Sequence, residues 1–246
     1  MSAPALRPLS TGEILDGGFA LYRRQFVPFV VSSLVFLAPV TALRIAKPEI
    51  GVFASLFALV AMKAASIFIA AEATLGAAVG TAVRKFGPLL FNMIIFWALV
   101  FIGCLLLIVP GIIVGLMSFA YAQVVVIEGR GWGFARSATL AKGAWGKISA
   151  LWLMASLINM LPSMALTGGV VGFMAVSSNP EELLRGTRVP AWLEILTAFI
   201  SCFTVPFPEA VLTLLYFDQR VRKEGFGIEM QAAALAAGTP PPSPAG

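Results

Sequence analysis

The sequence contains no histidine, the side chain that proteins use most often for proton transfer near neutral pH and for metal binding. Serine–histidine triads, histidine general bases and histidine-ligated metal sites are therefore excluded. Cysteine is also scarce, since only Cys104 and Cys202 occur, both within apolar segments. We interpret them as buried structural thiols and predict neither a disulfide nor a metal site at either. The sequence predicts no catalytic residue and no cofactor.

Charge is scarce as well, because charged residues form 12% of the 246 residues, about half of the share usual in soluble domains. Hydrophobic residues form 59%, and the mean hydropathy is +0.92. A soluble domain of this length could not bury so much apolar surface, whereas a bilayer can cover it. The composition therefore predicts an integral membrane protein.

Six apolar segments are long enough to cross a bilayer, because about 20 helical residues span a hydrocarbon core of about 30 Å. The uncharged stretch 87–127 would form a single helix of about 60 Å, so we expect it to turn at Pro110-Gly111 and to cross twice. The predicted fold class is an all-α bundle of six transmembrane helices. The predicted spans are 26–46, 50–71, 88–108, 112–127, one within 148–179, and 190–217.

The net charge is +5, but the basic residues are spread over all the loops rather than clustered on one face. Nucleic-acid binding requires such a cluster, so we predict no nucleic-acid partner. If the N-terminus is cytoplasmic, twelve lysines and arginines lie on the cytoplasmic side and four on the outside. This positive-inside bias predicts that both termini are cytoplasmic.

Interfacial amphipathic helices are predicted on the cytoplasmic side. Ser10 or Thr11 can cap a helix over 12–25, which has acids in its first turns, arginines in its last, and an apolar face. The N-terminus 1–9 and the tail 226–246 are predicted to be mostly disordered, apart from a short surface helix over 226–237. The remaining residues 10–225 form one transmembrane domain.

A weak internal repeat runs through this domain. Short helices opening at Thr11-Gly12, at Thr74-Leu75-Gly76 and at Trp132-Gly133 each precede a pair of apolar segments. The three units would cover 10–72, 74–128 and 131–223. The alternative is that similar membrane-edge composition alone makes the units look alike.

Several phrases of the sequence resemble a known family. They are LSTGEILD at 9–16, LYRR at 21–24, VVIEG at 125–129 followed by Ser137 and Lys142-Gly143, and LLYFDQRVRKEG at 214–225. In this order they resemble the bacterial membrane domain named after glycerophosphoryl diester phosphodiesterase. Some members carry this domain before a soluble phosphodiesterase domain, whose acid and histidine signatures are missing here. The resemblance covers nearly the whole chain and implies a membrane module without hydrolase activity, although Gln219 stands where the family more often has an apolar residue.

Lys63 and Glu209 are the two charges inside the predicted spans. Each lies nine residues before the charged end of its span, which places both at a depth of about 13–14 Å, near the bilayer midplane. A lone lysine there costs about 2.5–3.5 kcal/mol on insertion scales. We predict that the two side chains pair inside the bundle, either to fix helix register or to form a substrate or proton site. The alternative is that Lys63 reaches water and pairs with nothing.

A second set of charged residues is predicted to collect at the cytoplasmic edge. One interpretation is a site for phosphate headgroups or for a protein partner. The other is a collar of salt bridges that docks the interfacial helices onto the span ends. The set comprises Glu13, Asp16, Arg23, Glu128, Arg136, Asp218 and Arg220.

These features favour a non-catalytic module of the bacterial inner membrane, an accessory or scaffold protein in lipid-related or envelope processes. The alternative is a small transporter or lipid-handling protein that uses Lys63 and Glu209. Membrane lipids are the expected partners, and the accessory role implies a membrane protein partner as well. A water-filled cavity reaching Lys63 would favour transport, whereas a solid core would favour the scaffold.

Overall fold

The computed structural model describes residues 8–71, 73–177 and 190–224, and within these ranges the chain is helical, without strands. The predicted all-α class is therefore confirmed for this part of the protein. The predictions for 1–7 and for 226–246, including the short helix over 226–237, lie outside the described residues. The helices are α1 Thr11–Arg24, α2 Phe26–Ala46, α3 Pro48–Ala70, α4 Leu75–Leu106, α5 Ile108–Met117, α6 Tyr121–Gln123 with a π-helical turn Val124–Glu128 after it, α7 Phe134–Ala141, α8 Trp145–Ser177, α9 Ala191–Thr204 and α10 Pro206–Glu224.

Five helical segments of the described chain are long and apolar enough to cross a membrane, judged by length and composition. They are Phe26–Ala46, Pro48–Ala70, Leu75–Leu106, Ile108–Glu128 and Ala191–Glu224. A sixth arises if α7 and the first part of α8, which are bent by 111° at the break between them, count as one span. This is the architecture of a multi-pass membrane protein.

Helix α1 begins at a capping box. The backbone N–H of Glu13 donates to Ser10 Oγ at 3.3 Å, and the backbone N–H of Ser10 donates to Glu13 Oε2 at 2.6 Å. The buried face of α1 packs on α10, where Gly18 allows close approach because a Cβ there would lie 2.7 Å from Val211 Cγ2. Ser10 rather than Thr11 is therefore the cap, and α1 is docked along α10.

The helix that contains the predicted third span begins before Pro88, because α4 runs without interruption from Leu75 to Leu106. Thr74 caps this helix, with its side chain accepting from Ala77 N. Proline inside a membrane helix is tolerated where neighbouring groups satisfy the freed backbone. Asn92, one turn after Pro88, donates from its side chain to Pro88 O at 2.8 Å and to Gly131 O at 2.7 Å, which ties this part of α4 to the loop before α7. The surface helix predicted to open at Thr74 is therefore the first part of a 32-residue helix.

The expected hairpin after α4 is present, but it turns at Leu107 rather than at Pro110-Gly111. Pro110 lies in the first turn of α5, where its missing N–H leaves no hydrogen bond unmade. Gly103 and Gly111 bring the two helices together, because a Cβ on Gly103 would lie 2.8 Å from Gly111 Cα. The fourth apolar segment is also not one regular helix, since it breaks after Met117 and ends in the π-helical turn.

The predicted sixth span 190–217 is divided at Val205, and its second half continues as helix to Glu224. Pro206 lacks the N–H that would continue α9, and proline is well suited to the first position of a new helix. The hydroxyl of Tyr22 donates to Phe203 O at 2.8 Å, which satisfies a carbonyl in the last turn of α9. Glu209 therefore lies in the first turn of α10.

Candidate functional site

Lys63 and Glu209 are brought together by α3 and α10. Lys63 Nζ forms an ion pair and a hydrogen bond with Glu209 Oε1. The Lys63 side chain is 21% exposed and that of Glu209 is 10% exposed, so the pair lies largely inside the bundle. A carboxylate and an ammonium in such surroundings stabilise each other, since either alone would be a buried unpaired charge.

The second oxygen of this carboxylate, Glu209 Oε2, is buried without a hydrogen-bond partner among the described residues. The same is true of Ser66 Oγ on α3 and of Thr213 Oγ1 on α10. Residues three or four apart share a helix face, so these hydroxyls lie one turn from Lys63 and from Glu209. Unsatisfied buried polar groups cost about 1–3 kcal/mol each and are rare in native proteins. Their position beside the ion pair marks this region as an incompletely satisfied polar site.

Asp218, one of the predicted edge residues, has a fully buried side chain (0% exposed). Its Oδ1 accepts from Leu9 N at 2.7 Å, and its Oδ2 accepts from Lys147 Nζ at 2.7 Å and from Arg222 Nε at 3.0 Å. Gln219 Nε2 donates to Oδ2 at 3.0 Å. We call these five residues the Asp218 cluster.

The Asp218 cluster also holds the chain just before α1. The carbonyl of Leu9 accepts hydrogen bonds from Lys147 Nζ and from Arg222 Nη2, the latter at 2.6 Å. Leu9 belongs to the segment predicted to be disordered, yet its backbone N–H and C=O are both bound to this cluster. The cluster thus joins the entry to α1, the start of α8 and the middle of α10.

Glu128 organises a second group at the end of the π-helical turn. Its Oε1 accepts from Arg136 Nε at 3.1 Å and from Tyr216 Oη at 2.8 Å, while its Oε2 pairs with Arg130 Nε at 2.8 Å. Arg136 also pairs with Glu224 at the end of α10. We call these five residues the Glu128 cluster. It ties the π-helical turn and α7 to α10.

Two further basic residues of α10, Lys223 and Arg220, lie beside the Glu128 cluster and contact neighbouring groups. Lys223 Nζ donates to Thr139 O at 2.8 Å and to Lys142 O, at the C-terminal end of α7. A cation there matches the negative end of the helix dipole. Arg220 Nε pairs with Glu224 at 3.1 Å, and its guanidinium lies 5.8 Å from the centroid of the Tyr216 ring.

The seven predicted edge residues therefore do not form one site. Glu128 and Arg136 are in direct contact, and Arg220 shares Glu224 with Arg136. Asp218 belongs to the separate Asp218 cluster, and Glu13 completes the capping box of α1. Asp16 and Arg23 are exposed, and neither has an ion-pair partner in the described part of the chain.

Sequence reasoning missed several members of these clusters, namely Leu9, Arg130, Lys147, Tyr216, Gln219, Arg222 and Glu224. The sequence did contain a signal for two of the ion pairs, because their members are spaced by four residues on one helix. These pairs are Asp218 with Arg222 and Arg220 with Glu224. No local signal pointed to Lys147, which lies 71 residues from Asp218.

Within the described ranges, no group of three or more histidine, cysteine, aspartate or glutamate side chains could hold a metal ion. Both cysteines are free, and Cys202 is buried. The expectation of a buried thiol is wrong for Cys104, which is exposed although it packs beside Gly111 in the α4–α5 hairpin.

Comparison with protein-family models, with curated proteins and with solved structures finds no match to this chain.

Proposed function

We propose that this chain is a six-span module of the bacterial inner membrane that acts as a non-catalytic accessory or scaffold protein in lipid-related or envelope processes. The observation that carries the proposal is that the central carboxylates of the Asp218 cluster and the Glu128 cluster are fully hydrogen-bonded, although Gln219 Oε1 in the first cluster has no partner among the described residues. Both carboxylate oxygens of Asp218 and both of Glu128 accept from donors of the protein itself. Groups satisfied in this way hold helices in place and leave no acid or base poised for a reaction.

In this proposal the chain belongs to the membrane-domain family that it resembles. The phrases that carry the resemblance support this, because they meet in space. Leu9 from the first phrase contacts Asp218 from the last, and Glu128 from the middle phrase contacts Tyr216 from the last. Ser137 bridges the break after α5 by donating to Met117 O at 2.8 Å and accepting from Ala120 N at 3.0 Å.

The same proposal places α1 and α7 at the cytoplasmic interface, with both termini cytoplasmic and with three units over 10–72, 74–128 and 131–223. The lysine and arginine distribution supports the orientation. The ion pair between Arg136 of α7 and Glu224 of α10, and the hydrogen bonds of the Leu9 backbone before α1 to Asp218 and Arg222 of α10, support the interfacial position of α1 and α7, because such charged contacts form where helices leave the apolar layer.

The experiment that tests the accessory role is purification of the chain at its native level from cross-linked bacterial membranes, with quantitative mass spectrometry of what accompanies it. We expect one membrane protein in a fixed ratio to the chain. The Asp218→Ala variant should lose that partner while remaining in the membrane, because it releases the segment before α1. Recovery of the chain without any protein in a fixed ratio would contradict the accessory role.

A second candidate, transport or lipid handling at Lys63 and Glu209, is favoured by the unpartnered buried atoms beside the pair. Such atoms are normally satisfied by water or a bound polar molecule. In a chain whose own two cysteines are replaced by alanine, Ser66→Cys should react with a membrane-impermeant thiol reagent if water reaches this region. Ala64→Cys, on the same helix and fully buried, is the matched control. Equal protection of both cysteines would contradict the second candidate.

A further inference from the structure

A groove lies at the edge of the bundle where α2 ends and where α3 and α9 begin. Its volume is about 390 Å³, which falls within the size range of small-molecule sites of roughly 300–1,000 Å³. Most of its wall is apolar, and two opposite charges stand in it. The lining residues are Arg44, Ile45, Pro48, Val52, Pro190, Ala191 and Glu194.

The two charges form an ion pair, in which Arg44 Nη2 lies 2.9 Å from Glu194 Oε1. The Glu194 side chain is 12% exposed, whereas that of Arg44 is 37% exposed and reaches the surface. The two residues are 150 positions apart in the sequence, and their ion pair joins α2 to α9. Neither residue belongs to the edge clusters or to the Lys63–Glu209 region, so the mechanisms considered above do not use them.

Arg44 is held in position by the packing around it. Gly51 at the start of α3 contacts the backbone of Arg44 so closely that a Cβ there would lie 2.7 Å from Arg44 N. Arg44 Nη1 donates to Ser55 Oγ at 3.4 Å, and Ser55 Oγ in turn donates to Gly51 O at 2.8 Å. A guanidinium has five N–H groups, so further donors remain for a ligand beyond those facing Glu194 and Ser55.

We propose that this groove binds the phosphoethanolamine headgroup of a membrane phospholipid. Arg44 would donate to the lipid phosphate, Glu194 would accept from the lipid ammonium, and the apolar wall at Ile45 and Val52 would contact the glycerol and acyl chains. A phospholipid is the occupant because the groove lies at the ends of apolar helices, where the bilayer surface meets the protein.

Charge complementarity selects this headgroup among the common phospholipids. A paired arginine and glutamate have no net charge and match a headgroup with one anionic and one cationic group. Phosphatidylglycerol would bring only an anion and leave Glu194 beside a phosphate. Phosphatidylcholine has no N–H to donate, because its ammonium is fully methylated. The inference names a lipid for the proposed lipid-related role, but it requires no protein partner, so the co-purification experiment can fail while this proposal stands.

The test places the full chain in nanodiscs with equal amounts of phosphatidylethanolamine, phosphatidylcholine and phosphatidylglycerol of identical acyl chains. Lipids retained after mild extraction are then counted by native mass spectrometry. We expect retention of phosphatidylethanolamine over phosphatidylcholine on the order of tenfold, since a charge-assisted hydrogen bond distinguishes them. Arg44→Gln and Glu194→Gln should each abolish the preference, and Glu49→Gln, at the same edge but outside the groove, should keep it.

Three results would overturn the proposal. One is equal retention of the three lipids, and another is a preference for phosphatidylglycerol that survives Glu194→Gln. The third is complete displacement of the bound lipid by micromolar soluble phosphoethanolamine, which would show that the acyl chains contribute nothing and that a free solute is the ligand. If the charge variants fail to fold, Val52→Trp fills the groove without changing a charge, and an unchanged preference in that variant would also overturn the proposal.

Discussion

Glu209 and Asp218 lie on the same helix, α10, and each contacts a lysine from another helix, yet their surroundings differ. Both oxygens of Asp218 accept hydrogen bonds, and its side chain is 0% exposed. Glu209 is paired through Oε1 alone, its Oε2 has no partner among the described residues, and its lysine is 21% exposed. The carboxylate of Asp218 therefore holds helices together, whereas the carboxylate of Glu209 can still accept a hydrogen bond from another molecule.

The difference follows from how many chain segments approach each carboxylate. Asp218 receives donors from the segment before α1, from α8 and from its own helix. Among the described residues, Glu209 receives a side-chain donor from α3 alone. A low-dielectric interior strengthens a completed network and penalises an incomplete one, so the two sites should respond differently to substitution.

The largest effect is expected at Asp218. Asp218→Ala leaves Lys147, 15% exposed, and Arg222 without their shared carboxylate, and breaking such a buried pair costs about 3–5 kcal/mol of folding free energy. Reversible unfolding in detergent micelles measures the loss. Asp16→Ala, on the exposed face of α1, is the control and should not change stability. If Asp218→Ala lowers the free energy of unfolding by less than about 1 kcal/mol, Asp218 is not the main residue that holds these helices together.

Next in size are Lys63→Met and Glu209→Gln. Each should lower the free energy of unfolding by about 2 kcal/mol, less than at Asp218 because Lys63 is partly exposed. The double variant should recover most of the loss, since it removes both charges. A double-mutant cycle by the same unfolding assay gives the coupling. Additive losses would show that the pair contributes no mutual stabilisation.

Tyr216→Phe removes one hydrogen bond from the Glu128 cluster and keeps the ring. The expected loss is about 1 kcal/mol, because Glu128 retains Arg130 and Arg136. In a Glu128→Gln background the same change should cost less, as the acceptor is no longer charged. An equal loss in both backgrounds would assign the effect to packing of the ring.

The smallest effect is expected for Arg220→Ala. Although Arg220 is only 18% exposed, Glu224 keeps Arg136 as a partner, so no charge is left unpaired and the loss should stay below about 1 kcal/mol. Because this guanidinium already contacts Glu224 and Tyr216, binding of the chain to vesicles with anionic headgroups should be the same as for the wild type. Weakened binding to those vesicles alone would favour the headgroup site over the salt-bridge collar.

The candidate sites could be predicted only where their partners are local or their chemistry is unusual. A lysine and a glutamate inside apolar segments stand out in any sequence, so Lys63 and Glu209 were found. Arg44 and Glu194 were not found as a pair, because charges at span ends are common and nothing local joins residues 150 apart. Two prolines were read as helix boundaries but lie within helices, Pro110 in the first turn of α5 and Pro88 inside α4, because proline is accepted at both kinds of position in membrane helices.

The sequence alone determines the membrane class, because the hydropathy of a segment is the sum over its own residues. It also determines the helical fold, because every backbone group in a bilayer needs a hydrogen-bond partner and a helix supplies these partners internally. The pairing of the charges is decided by the tertiary structure. Leu9 and Asp218 are 209 residues apart, and their contact exists because α1 packs on α10 through Gly18. Ion pairs depend on distances of a few ångströms, and only the packing of the helices sets those distances.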